Sequence, residues 1–260
     1  MKNLGNRGHI SRSNEPVESL AMTIPPNPMS SEKSAFIVGG VVLVVQFLLM
    51  LTTVQILSRA IDWPASLGDP AAVTLPRLLT HSGSVMLGYS CYLLVALAII
   101  PATAALNAAL RVSPAIGNLT IGLATLSAVA KTLGIGRWLL AMPQLAQAYV
   151  APDADKAGIT LIFNMLNDYA GGMGEVIGVA LASGLWTLVI ATLVFRSGLR
   201  GARLAGGFAI LTGLSLFLSI PAWFGLDLGP ILSITGFSWQ LSLFAIAICL
   251  IVASRTKATI

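Results

Sequence analysis

The sequence predicts an all-α protein, a polytopic transmembrane bundle of six helices with both termini cytoplasmic. Three observations carry this expectation. Mean hydropathy is +0.86 and only 10% of the 260 residues are charged, too few to cover the surface of a soluble domain. Six apolar runs each reach the roughly 20 residues that cross a ~30 Å hydrocarbon core. The basic residues between those runs are unevenly divided between the two sides, as topology determinants are.

The runs are Ala35–Leu57, Gly83–Leu106, Ala115–Leu140, Met173–Phe195, Ala202–Ala222 and Gly229–Ala253. Every backbone polar group inside lipid needs an internal partner, so runs of this length are helices. Membrane β-strands alternate apolar and polar residues over about 10 positions, and no segment does so. With the N-terminus inside, the cytoplasmic segments hold Lys2, Arg7, Arg12, Lys33, Arg111, Arg196, Arg200, Arg203, Arg255 and Lys257. The outer loops hold only Arg59, Arg77 and Lys156, diluted by Asp62, Asp69, Asp153, Asp155 and Asp227. The net charge of +5 therefore sets topology; it forms no basic stripe and points to no nucleic acid. Trp63, Trp138 and Trp223 fall at the outer boundary, where an aromatic belt is expected.

Residues 1–33 are polar, with Pro25, Pro26 and Pro28 near their end, and read as a disordered cytoplasmic tail. The segment is too long and too polar for a signal peptide. Met22 and Met29 are alternative initiation points, which would leave the first 21 or 28 residues outside the natural chain. Residues 34–255 then form the membrane domain. The loop from Ser58 to Ser82, with Pro64, Pro70 and Pro76, is expected to lie over the outer face. His81 at its end reads as a polar cap, and His9 lies in the tail. Arg111–Pro114 is a short connection that makes spans two and three antiparallel neighbours. Pro101 falls late in span two. Cys91 and Cys249 lie inside apolar runs and read as small buried residues. No Cys/His spacing suits a metal, and no cofactor is expected.

Four ionisable side chains stand apart from the ends: Lys131, Arg137, Asp168 and Glu175. A charge near mid-membrane costs at least ~2.5–3.5 kcal/mol on the most lenient scale. Lys131 lies deep in span three. Arg137 follows by six residues, ~9 Å of rise and ~240° of rotation on an ideal helix, and so faces elsewhere and can snorkel outward. After span three come a short interfacial helix around Pro143–Tyr149 and a segment from Ile159 that enters the membrane. In that segment Asn164, Asp168, Gly171 and Glu175 recur at spacings of four, three and four, one face of a helix. Ala170, Gly174, Gly178 and Ala182 form a small-residue row that lets span four approach span three closely, at Ala124/Ala128 and Ala130/Gly134. The expectation is that Asp168 and Glu175 pair with Lys131 and Arg137, which would leave the cluster near neutral. Trp186 and Trp239 sit near mid-membrane and need partners for their indole N–H groups. Gln46, Gln55 and Gln240 read as interhelical glue.

The residues from Arg137 to Trp186 form a distinctive pattern. It runs Arg137-Trp138, Pro143-x-Leu145-Ala146, Tyr149 and Pro152. It continues Phe163-Asn164-x-Leu166-Asn167-x-Tyr169-x-Gly171-Gly172-x-Gly174-Glu175, then Gly178 and Leu185-Trp186. In this the chain resembles a bacterial group of six-helix integral membrane proteins catalogued as a domain of unknown function in the four-thousands series. The resemblance implies a multi-pass plasma-membrane protein with no assigned enzymatic activity. It agrees with the outer half of spans three and four being the distinctive region. The candidate binding residues are Lys131, Arg137, Asn164, Asp168 and Glu175, supported by Trp138, Asn167, Tyr169, Gly171, Gly174, Gly178 and Trp186.

The usual intramembrane catalytic equipment is lacking: no aspartate pair, no HExxH and no serine elbow with a membrane histidine. A binding, sensory or accessory component is favoured, with the bilayer and a small ligand or membrane-protein partner as its contacts. The alternative is a small-molecule or ion transporter or channel using the same charged cluster. No internal repeat is evident, and the Gly and Pro interruptions of the two halves do not match. Oligomeric state is left open.

Overall fold

A computed structural model of the chain describes residues 28–226 and 228–256. The expected tail lies outside these residues up to position 27. All regular elements among the described residues are helical. They are α1 (Pro28–Ile61), α2 (Ala71–Thr80), α3 (Ser82–Ala109), α4 (Pro114–Gly136), α5 (Met142–Tyr149) and α6 (Lys156–Leu166). There follow α7 (Gly184–Arg196), α8 (Ala202–Ser215), α9 (Ser219–Trp223) and α10 (Gly229–Thr256). A π-helical turn, Arg137–Ala141, joins α4 to α5. Two more, Asn167–Gly171 and Met173–Ser183, join α6 to α7. Span three is thereby a helical rod from Pro114 to Tyr149, and span four one from Lys156 to Arg196. The other four stretches able to cross a membrane are Glu32–Ile61, Ser82–Ala109, Ala202–Trp223 and Ile231–Arg255. The protein is thus multi-pass and all-α, and all six expected spans are present.

The spans close into a ring. α1 packs on α3, α3 on α4, α4 on the π segment of span four, α7 on α8, α8 on α10, and α10 back on α1. Within lipid the drive for this is close packing and not water exclusion, so small residues mark the contacts. A Cβ at Gly206 would lie 2.8 Å from the Ala191 carbonyl and the Phe195 nitrogen, so the α7 and α8 backbones touch there. A Cβ at Gly40 would lie 2.6 Å from the Ile251 side chain, and Phe47 stacks on Phe244 with centroids 4.7 Å apart. Both contacts join α1 to α10. Gly198 and Gly201, at φ +71° and +77°, take the left-handed conformation that turns the chain between α7 and α8.

Two apolar clusters fill the ring. One lies toward the termini and includes Phe36, Ile99, Ala124, Trp186, Ile190 and Leu243. The other lies toward the opposite, loop end and includes Leu57, Trp63, Leu75, Leu78, Tyr89, Trp138, Met142 and Phe163. The long first loop is more ordered than its prolines suggest. Ala71, Leu75 and Leu78, one stripe of α2, are buried, and α2 packs on α5 and α6 as a lid over the loop end. Trp63 and Trp138 correct the aromatic-belt expectation. They are 9% and 3% exposed and belong to the core, where Trp63 packs edge-on against Tyr92 and Trp138 stacks on Tyr89, both of α3. Trp223 is exposed, as a belt residue is.

The entry to α6 shows how a local signal sets a span. Asp155 caps the helix, its Oδ1 accepting from the Gly158 N–H at 3.0 Å. Asp155→Ala is expected to cost about 1 kcal/mol, read as a lower unfolding temperature in detergent. No change would show that the cap does not hold the start of span four.

Candidate functional site

The small-residue row brings spans three and four together. A Cβ at Gly174 would stand 3.3 Å from the Gly134 Cα, and one at Gly178 would stand 3.0 Å from the Lys131 nitrogen and 3.2 Å from the Ala130 Cβ. At Gly134 and Gly174 backbone meets backbone, and at Gly178 the glycine lies directly against the Lys131 stem and the Ala130 Cβ. The polar groups of each therefore meet at the edges of the contact.

Lys131 is 9% exposed. Its ammonium donates to Ser183 Oγ at 2.7 Å and lies 4.6 Å from the centre of the Trp239 ring, across the bundle. Ser183 Oγ is 2.7 Å from Ser127 Oγ, and Ser127 donates to the Gly178 carbonyl at 3.0 Å. An ammonium can only donate. The chain of protons therefore runs from Lys131 to Ser183 to Ser127 and ends on a backbone carbonyl, using one of the three ammonium N–H groups. A cation over an indole face adds ~0.5–2 kcal/mol. These contacts offset the desolvation of the ammonium, which is several kcal/mol for a buried ion.

Arg137 is held differently. Its Nε donates to Asn167 Oδ1 at 3.0 Å and its Nη1 to the Gly134 carbonyl at 2.8 Å. The guanidinium lies against Gly171, where a Cβ would stand 3.2 Å from Nη2. A side chain at this position would push the guanidinium by a few tenths of an ångström. Three of the five guanidinium N–H groups are left for other partners.

A cleft of about 50 Å³ opens beside these groups. It is bordered by Trp63 and Leu67 from the loop, Tyr89 and Tyr92 from α3, Lys131, Arg137 and Trp138 from span three, and Gly171, Gly174 and Glu175 from span four. One water needs ~10–15 Å³ of such volume, so the cleft holds about four waters or one small polar group. Glu175 is exposed to it and has no hydrogen bond or ion pair among the described residues. It lies within electrostatic reach of Lys131, Arg137 and Tyr92. The Tyr89 ring is 1% exposed and stacks on Trp138 at 5.2 Å and 3°. Its hydroxyl is buried with no hydrogen-bond partner.

This arrangement corrects the expected ion network. The two ion pairs among the described residues join Arg77 to Asp69 and Arg111 to Glu32, at the two ends of the bundle. Neither Lys131 nor Arg137 touches a carboxylate, because serine, asparagine and carbonyl oxygens occupy their near positions. Lys131 and Arg137, set on different faces by ideal-helix rotation, both border the cleft. The Arg137 side chain bends back one turn to Gly134 to do so. Asn164, Asp168 and Tyr169 are exposed and stand outside the cleft. The π turn over Asn167–Gly171 adds a residue to the turn and breaks the four-three-four face. Asn167 instead turns inward to Arg137. Trp186 belongs to the termini-side core, where its Nε1 donates to Thr103 Oγ1 at 2.9 Å. Trp239 likewise donates to Thr187 Oγ1 at 2.8 Å.

Sequence reasoning passed over Tyr89, Tyr92, Ser127 and Ser183. The i, i+4 pair Ser127/Lys131 was a usable signal, since one helical face then carries both a hydroxyl and the ammonium. So was Tyr89/Tyr92, two phenols three apart in an apolar run. Ser183 carried no signal, because a serine in a small-residue row reads as packing.

No group of three or more His, Cys, Asp or Glu side chains able to hold a metal occurs among the described residues. No curated protein and no solved structure matches the chain. The family model for a domain of unknown function (DUF4386) matches residues 37–248, and the chain belongs to that family.

Proposed function

We propose that this family member is a binding, sensory or accessory component of the bacterial plasma membrane, both termini cytoplasmic, whose outer-half cleft takes a small polar ligand from one side. One observation carries the reading. The cleft ends at Lys131, whose partners Ser183 and Ser127 are fully buried. Toward the termini the ring is filled by Ala124, Ala128 and Trp186, each 0% exposed. A buried serine pair over an apolar plug favours the floor of a pocket over the neck of a pore. The volume agrees: sites for larger solutes occupy ~300–1,000 Å³. The positive-inside bias supports the orientation.

The long π stretch over Met173–Ser183 favours the second reading, transport. π turns accompany functional sites and are points where a helix can rearrange. The two readings separate by access. In a variant with Cys91 and Cys249 replaced by alanine, Val179→Cys reports on the cleft. A membrane-impermeant maleimide applied to sealed vesicles of each orientation is expected to label it from the loop-end face only. Labelling from both faces would replace the binding reading by alternating access.

A further inference from the structure

We propose that the cleft is a receptor for an oxyanion of single negative charge, a carboxylate or phosphate group, held between the Arg137 guanidinium and the Tyr89 hydroxyl. The inference rests on the cleft being a binding site and names the chemistry of what binds.

Three observations converge on this class. First, the cleft lining has two cations and one carboxylate, one positive charge in excess. A net charge within a membrane-spanning segment is costly, and a monoanion would neutralise it. Second, the uncommitted groups are donors. Arg137 keeps three N–H groups, arranged in the fork that matches the planar or tetrahedral oxygens of an oxyanion. Third, Tyr89 holds a hydroxyl that is buried and unpartnered, on a ring clamped by Trp138. Leaving such a group unmade costs stability. Phenylalanine would give the same stacking without the cost, so the hydroxyl makes sense as a ligand contact. The other buried oxygens without partners belong to Gln46, Thr132 and Gln240, none of which lines the cleft. Tyr89 and Arg137 also lie within electrostatic reach of each other. Glu175 is the carboxylate of the cleft lining, placed to take a hydroxyl or ammonium carried by the same ligand. The cleft volume admits the charged group with only a few further atoms, as on a soluble short-chain acid or an acidic lipid headgroup.

The test uses the full chain, with thermal unfolding followed by tryptophan fluorescence, since Trp63 and Trp138 border the cleft. Sodium acetate and inorganic phosphate are the soluble probes, against matched sodium chloride. Phosphatidylcholine nanodiscs with and without phosphatidylglycerol are the lipid probe. A saturable rise in unfolding temperature is expected with the soluble probes or with phosphatidylglycerol, and which one responds identifies the source. Tyr89→Phe is expected to weaken that response about tenfold, the loss of one charged hydrogen bond. Its ligand-free unfolding temperature should be equal to or above that of the parent. Arg137→Lys keeps the charge, loses the fork and should weaken it as well. Silence of every probe would overturn the proposal. So would an unchanged response in Tyr89→Phe, or a ligand-free loss of stability there, which would give the hydroxyl a structural partner. If the probes are silent while Val179→Cys is labelled from the loop-end face alone, the oxyanion falls and the one-sided binding site stands. Labelling from both faces overturns the one-sided reading in favour of transport through the same cleft, and labelling from neither removes the cleft as an accessible site.

Discussion

Trp186→Ala is expected to cost about 3 kcal/mol, the low end of the range for truncating a buried tryptophan in a soluble core. The low end applies because lipid is as apolar as the core, so no water-transfer term is lost between helices. What is lost is packing. Trp186 is 0% exposed and touches a cluster drawn from α1, α3, α4, α7, α8 and α10. The indole hydrogen bond to Thr103 is the smaller part: interhelical hydrogen bonds in membrane proteins average ~0.6 kcal/mol. Trp186→Phe should therefore cost well under half as much as the alanine variant. Titration into sodium dodecyl sulfate micelles, followed by circular dichroism, measures both. Equal losses would mean that the hydrogen bond, and not the ring volume, holds the plug.

Gly178→Leu is the second large effect, expected at about 3 kcal/mol or more. Even the first added carbon would stand 3.0 Å from a backbone nitrogen of span three. That backbone atom cannot yield as a side chain can, so the helices must separate. The same displacement would pull the Gly178 carbonyl from Ser127 and Ser183 from Lys131, emptying the floor of the cleft. A loss of stability together with new maleimide labelling of Val179→Cys from the termini face would confirm that this contact seals the pocket. Wild-type-like stability would show that the spans do not meet at Gly178.

Much of this fold was legible in the chain, and the reasons are local. Each apolar run had the length of a bilayer, so all six spans could be located. The Ala170/Gly174/Gly178/Ala182 row predicted the tight face, and the backbones do touch at Gly134 and Gly174. The amphipathic lead into span four followed from periodicity, whereas the helix expected as interfacial around Pro143–Tyr149 continues the rod of span three. The partners of the charges did not. Charge complementarity argued for carboxylates beside Lys131 and Arg137, but a single hydroxyl or carbonyl placed by tertiary packing satisfies a donor as well. The π turns were illegible because they arise from how two rods fit, not from any residue preference. α2 could have been found from Ala71, Leu75 and Leu78, had three prolines not argued for an irregular loop.

The seam between α1 and α10 has a consequence for biosynthesis. α1 finds its partner α10 only after some 170 further residues of chain, from Ile61 to Gly229, have been made. Until then the flank carrying Gly40 and Phe47 faces lipid or the insertion machinery. Closure of the ring of helices therefore waits for α10, and a chain halted before Gly229 would be inserted yet unfinished.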